Sequence, residues 1–222
     1  MPSKFLRIGH RGAKAHVTEN TIASFRKGLA LGANAIELDV RKTKDGVIVV
    51  LHDEDLKRVF GAKGKIGELS LKEAKHLTSG KIPTLAEALK AIRARTILVE
   101  LKEPGTEWSV FSVVRKSRAL DRVIFISFHE SCLRTIRKLH KKVPLGFTFA
   151  KHSSPVQKAL SLKAQYLVSL YRFTHAALVE QAHKAGLKVI VWTVNTKTEA
   201  RAMAKKGVDG ITSDNPEILK GL

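Results

Sequence analysis

The sequence predicts an α/β protein, a (β/α)8 TIM barrel, on three observations. Short β-rich runs alternate with amphipathic helical runs along the chain. Nine runs read as strands, and one connection between them is too short to hold a helix. The polar residues that could carry chemistry fall at the ends of strand-like runs, where a barrel of this class mounts them.

Phe5–Gly9 opens the series, and Ala35–Val40 follows one helical run later. Between Val40 and Val47 the chain has only R-K-T-K-D-G. A parallel crossover needs about a dozen residues, whereas Asp45-Gly46 is a hairpin turn signal. Val47–Leu51 therefore reads as the antiparallel arm of a β-hairpin extension after strand 2, which returns His52 to the rim beside His10. Removing that arm leaves eight parallel strands. Residues 53–83 are the longest connection, with a Gly/Lys-rich stretch and one short helix. They are expected to form a small cap segment over the barrel mouth, within a single domain spanning 1–222.

The remaining strands are expected at Ile97–Leu101, Val123–Ser127, Leu145–Thr148, Tyr166–Ser169, Val189–Val194 and Val208–Thr212. Ser70 with Glu73, Thr84 with Glu87 and Thr196 with Glu199 are spaced as capping boxes. Gly186 and Gly207 mark helix ends just before strands. A doubly wound open sheet is the alternative, but no Gly-rich phosphate loop follows the first strand.

A chain of 222 residues with 44% hydrophobic content can bury a full core. No run approaches the ~20 apolar residues of a membrane helix. The N-terminal M-P-S-K-F-L-R-I-G is too short and polar for a secretory leader. Cys132 is the only cysteine, so no intrachain disulfide forms and cytoplasmic localisation is the expectation. The net charge of +20 reads first as solvated helix faces and second as attraction to an anionic substrate, nucleic acid or membrane surface. Oligomeric state is not encoded in any pattern here.

Glu37 and Asp39 alternate on one strand and so share a face. Glu100 and Lys102 repeat the spacing on the next parallel strand. Three carboxylates in one barrel mouth repel each other unless a cation lies between them. Oxygen ligands without cysteine point to Mg2+ or Ca2+, with Mn2+ as the third option. Salt bridges to Lys102, Arg11 or Arg41 are the competing explanation. His10 and His52 end the first strand and the hairpin, and suit a general acid and base. The planar fork of Arg11 suits a phosphate. Asn20 either caps the first helix or holds a histidine. Trp192 serves as a core or lid aromatic, or as a wall for a small polyol.

The chain resembles the glycerophosphodiester phosphodiesterase family over nearly its whole length. The pattern runs H-R-G at 10–12, E-N-T at 19–21, E-L-D at 37–39, T-K-D-G at 43–46 and H-D at 52–53. It continues with I-P-T-L at 82–85, V-E-L-K at 99–102, S-F at 127–128, W-T-V-N at 192–195 and V-D-G-I-T-S-D-N-P at 208–216. The resemblance implies a divalent cation on Glu37, Asp39 and Glu100, His10 and His52 as the acid–base pair, and Arg11 and Lys102 near the phosphate. It implies hydrolysis of deacylated phospholipids to glycerol 3-phosphate and an alcohol. The segment after the hairpin is shorter than in many relatives.

Two other readings compete. A lysophospholipase D would use the same barrel with a greasy groove, for which Phe60, Trp108 and Phe128 are the candidates. A non-catalytic, basic nucleic-acid-binding protein fits the charge alone, but only 6% of residues are aromatic and no stacking stripe is visible.

Overall fold

The computed structural model describes residues 5–222. The expectation for the N-terminal M-P-S-K stretch lies outside them. Nine strands form one sheet: β1 (Leu6–Gly9), β2 (Ala35–Lys42), β3 (Ile48–Val50), β4 (Thr96–Leu101), β5 (Val123–Ser127), β6 (Leu145–Phe149), β7 (Tyr166–Leu170), β8 (Lys188–Trp192) and β9 (Gly210–Ser213). The order is β1-β9-β8-β7-β6-β5-β4-β2-β3, and β1 also pairs with β2. Eight parallel strands thus close into a barrel. The short β3 runs antiparallel to β2, with Val40 opposite Val50, as the six-residue connection requires.

Helices α1 (Ile22–Ala30), α2 (Lys57–Phe60), α3 (Leu71–Leu77), α4 (Leu85–Ala91) and α5 (Glu107–Lys116) come first in chain order. Helices α6 (Glu130–Leu139), α7 (Pro155–Ser161), α8 (Ala176–Lys184) and α9 (Lys197–Lys205) complete the set. Ser70 and Thr84 form full capping boxes. Thr196 forms half of one: its hydroxyl accepts from the Glu199 N–H, but the Glu199 carboxylate takes hydrogen bonds from Tyr171 and from the Thr196 hydroxyl instead of from the backbone.

The alternation along each strand sorts side chains between two cores. Ile8, Ala35, Leu98, Ile126, Val168 and Ile190 fill the barrel interior. The opposite parity, including Leu38, Val99 and Phe125, packs outward against the helices. Cys132 is fully buried in that outer layer on α6, and its thiol is pushed up to about 12, mainly by burial. The interior is tightly filled: a Cβ on Gly146 would come within 2.9 Å of both Ile126 and Val168. Glu37, Asp39 and Glu100 share the parity of Ala35 and Leu98, so they stand directly above this apolar plug.

Segment 53–83 makes a third, small cluster of Leu56, Ile66, Ala74 and Ile82 against Val49 and Leu51 of the hairpin. It holds two helices, α2 and α3, where one was expected. Its apolar residues face the hairpin, so it lies beside the mouth, and none of it lines the central cavity.

Candidate active site

The mouth holds a cavity of about 340 Å³, floored by Leu98, Ile126 and Val168 and ringed by His10, Glu37, His52, Glu100 and Lys102. A larger cavity of about 630 Å³ opens at the other end of the barrel, but it is lined by no histidine and one carboxylate, Asp209.

Glu37, Asp39 and Glu100 converge as the strand register dictates, with Asp39 directly beside Glu100. One oxygen from each lies within 4.8 Å of the others, and all three residues are buried. The Glu37 carboxylate accepts from the Arg11 N–H at 3.0 Å, while its other oxygen is buried with no partner. Burial, reinforced by the charges of Asp39 and Glu100, holds Glu37 well above the usual carboxylate range. Burial and the Asp39 charge push Glu100 up to about 7, against the pull of Lys102. Burial also acts to raise Asp39, but Arg11 and Lys102 beside it leave it below its ordinary value. The cluster therefore carries more buried acid than its own cations satisfy.

Lys102 Nζ reaches Glu100 at 2.7 Å and Asp39 at 3.5 Å. Arg11 donates to Glu19 at 2.6 Å, and its Nε lies 3.2 Å from Asp39. The guanidinium lines the cavity but its fork is engaged by carboxylates, so the salt bridges weighed from sequence coexist with the cluster for Arg11 and Lys102, whereas Arg41 pairs with Glu103 at 3.0 Å and not with the triad. The sharp turn that delivers Arg11 depends on Gly12. Its φ is +93°, and a Cβ there would lie 2.4 Å from the Ser24 backbone.

Asn20 does neither job expected of it. Thr21 is the N-cap of α1, and Asn20 takes a left-handed turn (φ 57°) that sends its amide to Asp39 at 2.9 Å. It holds a carboxylate, not a histidine.

His10 follows β1 and His52 follows β3, and both line the cavity. Each ring binds a carboxylate through Nδ1: His10 to Asp214 at 2.6 Å and His52 to Asp53 at 2.7 Å. In both, Nε2 is left for the pocket. Burial lowers the His52 pKa from its ordinary value. Burial alone would raise Asp214, but hydrogen bonds from His10 and Asn195 hold it down. Burial likewise opposes ionisation of Asp53, yet hydrogen bonds from Arg58 and His52 bring it to about 2.

These carboxylates were not among the residues selected from sequence. Asp53 could have been found because it directly follows His52, and Asp214 because it directly follows the last strand. Arg58 was missed as well. It binds Asp53 and grips Glu19 through both terminal nitrogens, at 2.9 and 2.7 Å. A continuous chain of ion pairs thus runs from His52 through Asp53, Arg58, Glu19 and Arg11 to Asp39.

Trp192 lines the cavity, donates from its indole to the Val168 carbonyl at 3.1 Å, and meets Phe128 edge-on with centroids 5.6 Å apart. Of the three aromatics proposed for a greasy groove, Phe128 alone lines the cavity. Phe60 packs within segment 53–83, and Trp108 is 66% exposed without touching the pocket wall. No histidine other than His10 and His52 lines the cavity.

A model of the glycerophosphoryl diester phosphodiesterase family matches residues 10–218. The glycerophosphodiester phosphodiesterase of Caldanaerobacter subterraneus is 37% identical, covering 99% of this chain and 98% of that protein. The human lysophospholipase D GDPD1 is 25% identical, covering 96% of this chain and 84% of that protein. Among solved structures, glycerophosphodiester phosphodiesterase from Thermotoga maritima superimposes with a TM-score of 0.84 at 32% identity, covering 96% of each chain. An Oleispira antarctica phosphodiesterase in complex with the product sn-glycerol-3-phosphate gives a TM-score of 0.85 at 25% identity, covering 95% and 93%.

Proposed function

The chain belongs to the glycerophosphoryl diester phosphodiesterase family, and on that premise we propose that it hydrolyses glycerophosphodiesters to glycerol 3-phosphate and an alcohol with one divalent cation. The observation that carries this reading is the buried triad of Glu37, Asp39 and Glu100 lying between two carboxylate-backed histidines.

The triad fits a metal on its own chemistry. Glu37 has a buried oxygen without a partner, and Glu37 and Glu100 are both driven toward protonation by mutual repulsion and burial. Hard oxygen donors suit Mg2+ or Ca2+, and Mn2+ next. When bound, such a cation supplies Lewis-acid stabilisation of charge on a phosphoryl oxygen.

The rest of the chemistry belongs to side chains. Lys102 and Arg11 place positive charge at the cavity wall, where it offsets charge developing on the phosphate. One histidine takes a proton from the nucleophile, either water or the glycerol 2-hydroxyl, and the other returns one to the departing alkoxide; the 2-hydroxyl route forms a cyclic phosphate that water then opens to glycerol 3-phosphate. Asp53 and Asp214 fix the tautomers that leave Nε2 facing the pocket. Trp192 and Phe128 offer a flat apolar wall to the carbon skeleton of the substrate.

Phe128, 42% exposed at the edge of this wall, supports a second reading. A lysophospholipid could rest its one chain there, making the protein a lysophospholipase D. Relative rates on glycerophosphocholine and lysophosphatidylcholine separate the two. The primary test is release of glycerol 3-phosphate from a panel of glycerophosphodiesters with and without chelator. Release should stop on chelation and return with Mg2+ or Ca2+. No release, or release indifferent to chelator, would sink the reading.

A further inference from the structure

The net charge of +20 is far more than Arg11 and Lys102 at the mouth account for, and its distribution is uneven. Of the 20 Asp and Glu residues, only Asp121 and Asp209 lie in the turns that lead from a helix into the next parallel strand. Asp209 is already bound by the His183 ring and the Val189 N–H. The same turns carry Arg93, Arg95, Arg118, Lys141, Lys142 and Lys163, all exposed. Among the described residues none of the six has a carboxylate partner, whereas Lys102, Arg11, Arg41 and Arg58 at the mouth all do. In a parallel barrel these turns share one end, opposite the mouth.

Helix dipoles favour cations in the last helical turn, which accounts for residues such as Lys116 and Lys138. The six residues above lie beyond the helices. Two of them carry an independent signal. Arg118 and Lys163 hold left-handed backbone, each at φ 53°. Their N–H groups bond to the carbonyl three residues back, as do those of Gly32, Gly186 and Gly207 in the equivalent turns. Glycine occupies that position without strain, and a side chain does not. The chain places a cation there at a conformational cost.

The shape of the patch selects its partner. The six cations precede β4, β5, β6 and β7, four consecutive staves of the barrel, and so form an arc across one end, with Arg93 and Arg95 on the wall of the cavity of about 630 Å³ there and the other four outside it. The exposed aromatics Trp108, Phe128 and Phe173 all follow strands and lie at the mouth. This end exposes Leu160 in the last turn of α7 but none of the exposed aromatics, so it offers charge with little apolar surface and no exposed stacking platform. A broad arc of cations matches a plane of anionic headgroups better than the narrow ridge of a nucleic-acid backbone.

We propose that the barrel end opposite the mouth docks electrostatically on an anionic phospholipid bilayer. The mouth then faces water and, on the activity proposed above, faces soluble diesters derived from that bilayer. Binding is measured without reference to activity, so the two readings fail separately.

The test is co-sedimentation of the full chain with phosphatidylglycerol–phosphatidylcholine vesicles at low salt. Binding should be absent with pure phosphatidylcholine and should be released by roughly 0.5 M KCl. Combining Arg93→Gln, Arg95→Gln, Lys141→Gln and Lys142→Gln should weaken partitioning about six hundredfold, from about fivefold per charge. That variant should keep the far-UV circular dichroism and Tm of the parent, which shows that it folds. Lys44→Gln, Lys57→Gln, Lys63→Gln and Lys72→Gln, the same charge change on the hairpin side, should bind as the parent does. Orientation needs no variant. Both tryptophans, Trp108 and Trp192, lie at the mouth, so brominated lipid should leave their fluorescence unquenched. Quenching, equal loss in both variants, or a shift of duplex DNA at salt where vesicles do not sediment would each overturn the proposal.

Discussion

At the mouth of the barrel Glu37, Asp39 and Glu100 lie buried within reach of one another, and every cation near them is tied to a carboxylate. At the other end Arg93, Arg95 and Lys142 stand in solvent and touch no carboxylate. The same residue types behave differently because of what surrounds them. Buried charges couple strongly, so each depends on the protonation and position of its neighbours. Solvated charges are screened and act almost independently. Substitution should therefore be severe and non-additive at the mouth, and mild and additive at the opposite end.

The largest effects should come from the histidines. His10→Ala and His52→Ala should each lower kcat/KM by roughly 10²- to 10⁴-fold, read as glycerol 3-phosphate release. Unchanged turnover in either would break the contrast at its strongest point. Next are the carboxylates behind them. Asp53→Asn and Asp214→Asn should lower kcat by about 10- to 1,000-fold with less change in KM, because they orient the rings without touching substrate. A change confined to KM would show that the aspartates serve the substrate instead.

A smaller effect should appear in stability against pH. Glu100 ionises near 4.5 when unfolded and at about 7 when folded. A raised folded pKa contributes stability that is complete below 4.5 and lost as pH rises through 7. The metal-free protein should lose on the order of 3 kcal/mol across that window, and Glu100→Gln should flatten the slope of Tm against pH. Added Mg2+ should raise Tm increasingly over the same interval, since protons compete for the carboxylates. A slope identical in parent and variant would remove Glu100 as its source. The smallest effect should belong to the opposite end. Lys142→Ala should leave turnover unchanged and move Tm by less than about 2 °C. A larger shift would mean that this end is also a coupled network.

Residues that act through chain-local rules could be read from the sequence. The Asp45-Gly46 turn set the hairpin, and with it the return of His52. The alternation of Glu37 with Asp39, and of Glu100 with Lys102, set a shared face, and strand register did the rest. What stayed hidden depends on spatial neighbours. Asp214 lies 204 residues from the His10 it binds. Glu19 gained meaning only once Arg58 and Arg11 had been brought to it from opposite sides. Asn20 was misjudged because its left-handed backbone, not its type, decides where its amide points. Segment 53–83 was placed over the mouth from its length and its Gly/Lys-rich stretch, whereas its apolar residues turn toward the hairpin.

The seam of the barrel links synthesis to activity. One histidine is completed locally, since Asp53 is its sequence neighbour. The other waits for β1 to meet β9, since only that closure carries Asp214 alongside His10. A nascent chain on the ribosome can assemble the carboxylate triad and the His52 pair once β4 has emerged. It cannot orient His10 until β9 and Asp214 are also free. Onset of turnover during translation would therefore report the moment the ring shuts, and a truncation before Asp214 should fold most of its strands yet leave one proton-transfer group without its partner.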